Sequence, residues 1–184
     1  QYYNKRLAYL KSKLGKNKYV SKQIISLTNK RNNKIKDYLH KASRILVNHV
    51  VSNGINTIVI GHNRCWKQEI NIGKRNNQNF VSIPFNTLIS MISYKCELEG
   101  INVSIVEESY TSKCSFLDNE KPVKHDSYKG NRSKRGLFRT GSGAIINADI
   151  NGAFNIIRKS KESFDVTTLP EGRGFWWNPV RIPV

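Results

Sequence analysis

The chain has 184 residues, of which 31 are Lys or Arg and only 13 are Asp or Glu, so its formal net charge is +18. An apolar fraction of 38% excludes a purely disordered basic tail, and the length suits one domain with a core of its own. No run of about 18 apolar residues is present, which excludes a membrane-spanning helix. The charge indicates an acidic partner, with nucleic acid as the first interpretation. An anionic membrane surface and a merely soluble basic chain are the alternatives.

The first 52 residues have the pattern of two helices. Apolar residues recur at spacings of three and four between Tyr3 and Leu14, and again between Ile35 and Val50. Eleven Lys or Arg and no acidic residue lie between positions 1 and 36. A solvated helix face usually mixes signs, so this face favours phosphate contacts, with solvation alone as the alternative.

The next part of the chain predicts a strand, a helix and a second strand. Residues 55–60 are rich in β-branched residues and predict a buried strand, and residues 61–68 follow as a basic loop. A helix is expected after Ser82, its candidate N-cap, with Pro84 in the first turn and Gly100 as the stop. Residues 101–106 predict the second strand. The short return favours a parallel crossover in an α/β layer.

The three cysteines do not form a metal-binding pattern. Cys65, Cys96 and Cys114 contain no C-x-x-C pair, so their spacing gives no support to a structural zinc site. An odd number of cysteines without a signal peptide predicts reduced thiols in a cytosol-like compartment. Cys96 falls in an apolar helical pattern and is expected in the core.

The C-terminal third combines a basic segment with a helix and a tail. Residues 121–139 are basic, with interspersed aromatic residues, and predict a nucleic-acid surface, with a solvated loop as the alternative. Residues 145–157 predict the start of a helix, with Asp149 near its N-terminus. From Lys159 onward the apolar periodicity fades, which predicts a loosely packed tail.

Acidic residues are scarce, and three of them stand where secondary-structure elements begin or end. Glu107 and Glu108 end the second strand, and chemistry in α/β sheets gathers at the carboxyl ends of strands. A carboxylate there and Asp149 at a helix start suit a shared Mg²⁺ ion in phosphodiester cleavage. The alternatives are a charge pair for the two glutamates and an N-cap for Asp149.

Several ordered motifs resemble one known family. They are Glu108-Ser-Tyr-Thr-Ser-Lys-Cys114 with Ser115-Phe-Leu-Asp118, Lys134-Arg-Gly-Leu-Phe138, Asn147-Ala-Asp-Ile-Asn-Gly-Ala-Phe-Asn-Ile156, Ile58-Val-Ile-Gly-His-Asn63 with Trp66-Lys-Gln68, and the lead-in Lys30-Arg-Asn32 with His40-Lys-Ala-Ser-Arg44. Together they resemble the C-terminal part of the TnpB (OrfB) proteins of insertion sequences, relatives of the type V CRISPR effectors. The resemblance covers roughly residues 1 to 160.

The resemblance implies an α/β, RNase H-like (RuvC) fold and RNA-guided cleavage of DNA with Mg²⁺. The third of the family's three catalytic acids corresponds to Asp149. The second usually ends the strand that here ends at Gly61, where this sequence has no Glu. Some members place it before the Tyr-Thr-Ser motif instead, which corresponds to Glu108, with Glu107 as the alternate. We therefore expect Glu108 and Asp149 to be the catalytic residues and the Mg²⁺ ligands.

Two departures from the family limit this expectation. The first catalytic Asp, in a G-x-D-x-G segment of the opening strand, has no counterpart here, so we expect an incomplete RuvC-like fold without its first strands. We expect the chain to be a fragment, inactive alone, or one part of a longer nuclease. The two zinc-binding Cys pairs of many members are reduced to Cys114, so we expect no zinc.

The family also implies the partners and the layout of the chain. The expected partners are DNA and a guide RNA made from the transposon end, in the cytoplasm and on the nucleoid. The residues expected to contact nucleic acid are Lys30, Arg31, Lys34, Arg44, Lys67, Lys113, Arg132, Lys134, Arg135 and Arg139. Arg135 or Arg139 is the candidate for contacting the scissile phosphate. A catalytically dead binding module, a gene remnant and an RNA-associated accessory protein are the alternatives.

The layout has five parts. Residues 1–52 are expected to form a basic helical hairpin, 53–112 the RuvC-like strand–helix–strand unit, and 113–140 a degenerate zinc-finger-like segment that binds the target nucleic acid. Residues 141–160 are expected to form the final RuvC-like helix and 161–184 a tail.

Overall fold

The computed structural model describes residues 2–63, 73 and 83–169 of the chain. Helices α1 (Tyr2–Ser12) and α2 (Lys22–Ser52) come first, followed by β1 (Thr57–Gly61), α3 (Phe85–Leu98) and β2 (Asn102–Val106). Three short strands follow: β3 (Asn131–Lys134), β4 (Leu137–Arg139) and β5 (Ile145–Asn147). Helix α4 (Ala148–Ser160) and a 3₁₀ turn (Val166–Thr168) complete the described chain. In this part of the chain, no helix combines the length and the apolar character needed to cross a membrane.

Helix α2 begins and ends where its sequence provides caps. The Ser21 hydroxyl accepts a hydrogen bond from the Ile24 amide at 3.3 Å, which satisfies one of the amides left unpaired at a helix start. Gly54 follows the helix with a φ of +64°, a left-handed conformation that glycine adopts without steric cost. The turn directs the chain into β1. The two helices predicted within the first 52 residues are therefore present.

Strands β1 and β2 lie side by side and parallel, from the pair Thr57–Asn102 to the pair Gly61–Val106. Helix α3 connects them, so the predicted parallel crossover is confirmed. Pro84 precedes this helix and makes no side-chain cap, and the expected position of Pro84 inside the first turn is therefore wrong. Ser82 lies outside the described residues. Gly100 follows the helix with a φ of +70°, as expected for its stop.

The first core lies between this sheet and helices α2 and α3. Ile58, Ile60 and Val103 pack against a buried cluster that includes Val47 and Cys96. Cys96 is fully buried, which confirms its predicted place in the core. The opposite face of the sheet meets helix α4, where the hydroxyls of Ser104 and Ser160 lie 3.1 Å apart. The sheet is thus covered by helices on both faces, as parallel sheets generally are.

A second sheet, antiparallel and in the order β3-β4-β5, was not predicted. It lies partly in the basic segment 121–139 that the sequence had indicated as a surface. Residues Ile145–Asn147 form β5 rather than the first turn of a helix, so the expected final helix over 141–160 begins only at Ala148. The two apolar residues of β5 come just before the apolar residues of α4. In the sequence, the strand and the helix therefore look like one continuous helical pattern. This sheet packs its Phe138 and Ile146 on Ala148 in a second core.

The start of the predicted tail is packed against the rest of the chain. The Phe164 ring lies 5.4 Å from the Phe116 ring and 6.0 Å from the Phe154 ring, centroid to centroid. Aromatic rings at these separations attract each other beyond the area they bury. The prediction of a loosely packed tail is therefore wrong at Phe164, whereas Lys161, Glu162, Ser163 and Thr167 are exposed. Residues 170–184 lie outside the described residues.

Candidate functional site

Glu108 stands just beyond the end of β2, with its backbone held on both sides. Its amide donates to the Asn63 side chain at 2.9 Å. Its carbonyl accepts from the Thr111 hydroxyl at 2.7 Å and from the Thr111 amide at 3.2 Å. The intervening Tyr110 has a φ of +64°, which is uncommon for a residue with a side chain. These bonds fix the direction in which the Glu108 side chain leaves the backbone.

The Glu108 side chain occupies a space that Gly61, at the end of β1, leaves open. A Cβ atom at Gly61 would lie 2.9 Å from both Cβ and Oε2 of Glu108, and 2.7 Å from Cδ1 of Ile156. Contacts this short do not occur without displacement, so a side chain at position 61 and this position of Glu108 exclude each other. The carboxylate is therefore placed across the ends of two neighbouring parallel strands. An apolar cleft of about 260 Å³ between the sheet end and helix α3 adjoins it.

The Glu107 side chain points away from that of Glu108, as expected for adjacent residues on extended backbone. Its Oε2 lies 3.9 Å from Nζ of Lys159 on α4, and 69% of its side chain is exposed. An ion pair this open to solvent contributes little to stability. The pairing separates the roles of the two glutamates, because Glu107 faces a lysine and Glu108 faces the end of β1.

Asp149 lies in the first turn of α4 and is exposed. The helix is capped by Asn147, whose side-chain oxygen accepts from the amides of Asp149 at 2.9 Å and Ile150 at 3.2 Å. The interpretation of Asp149 as an N-cap is therefore wrong. A carboxylate in the first turn also interacts favourably with the helix dipole.

Helix α4 carries Asp149 and also reaches the neighbourhood of Glu108. Ile156, which contacts Gly61 beside Glu108, is seven residues after Asp149, so the two positions share one face of the helix. Seven residues span about 10 Å along the helix axis. Asp149 therefore lies about two helix turns from the Ile156 side chain that packs beside Glu108. Within residues 2–63, 73 and 83–169, no group of three or more Asp, Glu, His or Cys side chains is placed to hold a metal ion.

A polar stripe on α4, not predicted from the sequence, holds the segment after Glu108. Asn151 accepts from the Phe116 amide at 3.0 Å and donates to the Cys114 carbonyl at 2.9 Å. Asn155 donates to the same carbonyl at 2.8 Å and to the Thr111 carbonyl at 3.0 Å. Both amide side chains are fully buried. Two Asn four residues apart among apolar helix positions were the available signal.

Arg158 extends the stripe by one more turn. Its guanidinium donates to the carbonyls of Glu120 at 3.1 Å, Phe116 at 3.3 Å and Phe164 at 3.2 Å. It also lies 4.2 Å from the centroid of the Phe116 ring. Burial lowers the pKa of Arg158 below its ordinary value. This arginine is a buried connector of three backbone stretches, and it is not part of the basic surface.

The basic residues predicted on the helical hairpin border one groove. Lys30, Arg31 and Lys34 of α2 line a groove of about 870 Å³ between α1 and α2, together with Arg6 and Lys22. The Arg31 guanidinium lies 5.2 Å from the ring centroid of Tyr3, a cation–π contact within the groove. The groove therefore joins positive charge to an aromatic and apolar floor.

Two predicted nucleic-acid residues fall outside this groove. Arg44 donates to Glu99 at 3.0 Å, an ion pair that ties α2 to the end of α3. Its charge is therefore matched by an acid, unlike the charges in the groove. Lys67 lies outside the described residues.

The basic residues of the C-terminal part surround β3 and β4. Lys113 and Arg132 line a pocket of about 360 Å³ with Tyr128, and Nζ of Lys113 lies 5.8 Å from the Tyr128 ring centroid. The remaining predicted residues here are exposed on β3, the following turn and β4, namely Lys134, Arg135 and Arg139. Apart from Arg44, the predicted basic residues that the structure describes thus lie on two separate surfaces.

Part of the chain matches a known protein family, and most of it matches a viral protein. A family model described as Cas12f1-like, TNB domain, matches residues 85–156. The TnpB-like protein ORF457 of Acidianus two-tailed virus is 26% identical over 171 residues, which cover 86% of this chain and 34% of the viral protein. The chain therefore spans about a third of the length of that relative.

A solved structure supports the fold. A chain in the cryo-EM structure of a Cas12f1–sgRNA–target DNA complex matches with a TM-score of 0.59 and 17% identity, over 88% of this chain and 41% of that chain. The mixed arrangement of helices and parallel strands thus resembles part of Cas12f1, in agreement with the expected partial RuvC-like fold. Taken together, the family model and the viral relative make the chain similar in sequence to Cas12f1-like and TnpB-like proteins, and the solved structure makes it similar in fold.

Proposed function

We propose that this chain is the C-terminal nuclease part of an RNA-guided DNA endonuclease of the TnpB type. The observation that carries the proposal is the Glu108 carboxylate in the space left open by Gly61 at the ends of two parallel strands. The carboxyl ends of strands are where sites form in α/β sheets. Helix α4, which packs on the same strands, supplies Asp149.

Each donor is of the kind that suits a magnesium ion. Glu108 and Asp149 offer carboxylate oxygens, the ligands that Mg²⁺ prefers, and the N-cap of α4 is Asn147, so capping does not occupy the Asp149 carboxylate. Asp149 lies about two helix turns from the Ile156 side chain beside Glu108, so a shared ion would require the two carboxylates to approach each other. When bound, Mg²⁺ would activate a water molecule and stabilise the charge that develops on the phosphate. The hydrogen bonds to the Glu108 backbone fix where its side chain leaves the main chain, which favours a carboxylate at the strand ends.

The described residues bring no third carboxylate to Glu108 and Asp149. Within the described residues, the parallel sheet contains β1 and β2 only, so the second edge of β1 is open to a further strand. In the family that this chain resembles, the first catalytic Asp lies on such a strand. We expect the chain alone not to cleave DNA, because removing one member of a catalytic set that acts as a unit is severe.

The two basic surfaces would hold the nucleic acids. Strands of single-stranded nucleic acid bind grooves that combine positive charge with aromatic faces, and the α1–α2 groove has both. The exposed residues of β3 and β4 would contact the target strand, with Arg135 or Arg139 near the scissile phosphate. A guide RNA from the transposon end and DNA are the proposed partners. The Cas12f1 neighbour was solved with an sgRNA and a target DNA.

The test is Mg²⁺-dependent cleavage of DNA by a longer protein that contains this chain, with its guide RNA. E108Q and D149N each remove a ligand charge while keeping the side-chain volume, and cleavage should fall at least about 100-fold. E107Q is the matched control, because Glu107 contacts Lys159 instead of the strand end. Melting temperature and binding of the guided target should stay close to those of the unsubstituted protein in all three variants.

Three outcomes would contradict the proposal or one of its residue assignments. Equal cleavage by the three variants and the unsubstituted protein would show that neither Glu108 nor Asp149 is needed for cleavage. Loss of cleavage in E107Q but not in E108Q would give the role to the other glutamate. Binding of nucleic acid without cleavage by any longer protein would favour the second candidate, a catalytically dead binding module, which the absence of a three-ligand cluster among the described residues also favours.

A further inference from the structure

Glu120 is a buried carboxylate that joins two distant points of the chain. Its residue is 4% exposed, and its two oxygens accept from different backbone amides. Oε2 accepts from Ser115 at 2.7 Å and Oε1 accepts from Lys129 at 3.0 Å. Hydrogen bonds to an ionised carboxylate are stronger than those between neutral groups. One side chain therefore closes the loop that runs from Ser115 to Lys129.

A second carboxylate closes the next loop in the same way. Asp118 accepts from the amides of Gly141 at 2.6 Å and Ser142 at 3.2 Å. Burial by itself raises the pKa of Asp118, but hydrogen bonds to the carboxylate outweigh it, so the pKa falls below its ordinary value. The backbone carbonyl of Glu120 also accepts from Arg158 of α4. Residues 114–142, called the closed segment below, are thus held by two carboxylates and one helix.

The residues of the closed segment do not fit the zinc that many relatives bind there. Cys114 is its one cysteine, is fully buried, and donates through Sγ to the Val123 carbonyl at 3.5 Å. Burial and the nearby Glu120 carboxylate raise the pKa of the Cys114 thiol, whereas a zinc ligand must be a thiolate. His125 bonds through Nε2 to the carbonyl of Lys121 at 2.8 Å. The thiol and imidazole donors are therefore one cysteine and one histidine engaged with backbone, against the four ligands of a structural zinc site. Counting Asp and Glu as well, no group of three or more such side chains in the described residues is placed to hold a metal ion.

We propose that Glu120 takes the place of a structural metal in the closed segment. A metal would join distant parts of the segment through four side chains, whereas Glu120 joins Ser115 to Lys129 by accepting from their main-chain amides. The fold of the segment is then independent of zinc. Binding of nucleic acid by Lys113 and Arg132, which rests on the proposed function, is independent of zinc as well.

The first measurement needs no variant. Amide hydrogen exchange of the full chain, followed by NMR, should show the Ser115 and Lys129 amides protected at least about 100-fold relative to an unstructured chain. The protection should be unchanged after dialysis against EDTA and 1,10-phenanthroline. Elemental analysis of the purified protein should find far less than one zinc per chain. One zinc per chain, whose removal releases these amides or lowers the melting temperature, would overturn the proposal.

The second measurement assigns the effect to Glu120. In E120Q one oxygen becomes an NH₂ group that cannot accept, so exchange at Ser115 or Lys129 should rise at least tenfold. E162Q is the matched control, because Glu162 is exposed and lies outside the closed segment. D118N should release Gly141 and Ser142 and leave the two Glu120-bonded amides protected. Unchanged protection of both amides in E120Q would refute the role of Glu120. If E120Q does not fold, the exchange and zinc content of the unsubstituted chain decide.

A binding measurement separates this inference from the proposed function. Affinity for a labelled single strand should be the same with and without the chelators. A chain that binds no nucleic acid but keeps its protected amides would refute the proposed function and leave the role of Glu120 in place. A chain that binds nucleic acid only with added Zn²⁺ would refute the inference and leave the proposed function in place.

Discussion

At the scale of single residues, the candidate site depends on a pair of positions, one on each strand of the sheet. Gly61 has no side chain where the family usually has a glutamate, and Glu108 fills the space from the neighbouring strand. The resemblance to the family predicted that the carboxylate had moved. The reason for the glycine came only from the structure, because the contact joins residues far apart in sequence.

This complementarity predicts that Gly61 and Glu108 are energetically coupled. G61A adds a methyl group that would meet Glu108 and Ile156, so it should destabilise the chain by about 1–3 kcal/mol, as overpacking of a core does. The cost should shrink by at least about 0.5 kcal/mol in an E108A background, because part of the clash is removed. Urea unfolding of the four proteins of the cycle measures both values.

The control is another glycine without close neighbours. A Cβ atom at Gly152 would meet nothing within 4 Å, and Gly152 lies inside α4. G152A should therefore be neutral or stabilise the helix by up to about 1 kcal/mol. Additive effects of G61A and E108A, or an equal loss of stability in G152A, would show that the two positions are not coupled.

At the scale of elements, the sequence predicted the helices and strands that have a long, regular apolar pattern. It did not predict the short strands, whose patterns cover only three or four residues. Helices α2 and α3 and the parallel strands have regular apolar spacing and clear stops, and they were placed within a few residues. Strand β3 has four exposed residues, Asn131–Lys134, and owes its structure to pairing with β4. Strand β5 runs directly into α4, and only Asn147, the N-cap, marked the boundary.

The candidate residues divide in the same way. Glu108 and Asp149 could be proposed because acids are scarce and fall at element ends, and because the family resemblance favours Glu108 over Glu107. Asn151, Asn155 and Arg158 could not, because their partners are backbone carbonyls and amides of the segment from Thr111 to Glu120, which no sequence pattern identifies. Their role is a property of how one element packs on another.

That packing predicts a large effect for Arg158. R158M keeps much of the apolar stem but leaves the carbonyls of Phe116 and Glu120 without their donor in a buried setting. Buried groups that lose a partner cost about 1–3 kcal/mol each, so the variant should lose about 2–4 kcal/mol of unfolding free energy. R132M, at an exposed residue of β3, should stay within about 0.5 kcal/mol. Equal effects of the two variants in urea unfolding would contradict the connector role.

At the scale of the whole molecule, the charge is unevenly used. Several of the few acids have partners within the chain. Glu99 pairs with Arg44, Glu107 pairs with Lys159, and Asp118 and Glu120 accept from main-chain amides. Those that bond to amides neutralise no surface lysine or arginine. The surplus of positive charge therefore remains on the α1–α2 hairpin and on β3 and β4, which is the distribution expected of a nucleic-acid-binding protein.

The groove between α1 and α2 gives the last prediction. K30Q/R31Q/K34Q removes three positive charges that line the groove. If each contacts a phosphate, the slope of log affinity against log salt should fall in magnitude by about 2 for a single strand, since each contact contributes about 0.7. Fluorescence anisotropy with a labelled single strand, measured between about 50 and 200 mM salt, gives this slope.

The matched control removes the same charge elsewhere. Lys11, Lys41 and Lys161 are exposed residues outside the groove, and Lys41 is already paired with Asp37 at 2.8 Å. K11Q/K41Q/K161Q lowers the net charge equally, so a slope that depends only on total charge should change equally in both variants. A groove that binds the strand requires the larger change in K30Q/R31Q/K34Q, because released counterions come from phosphates in direct contact and not from the field of the whole molecule.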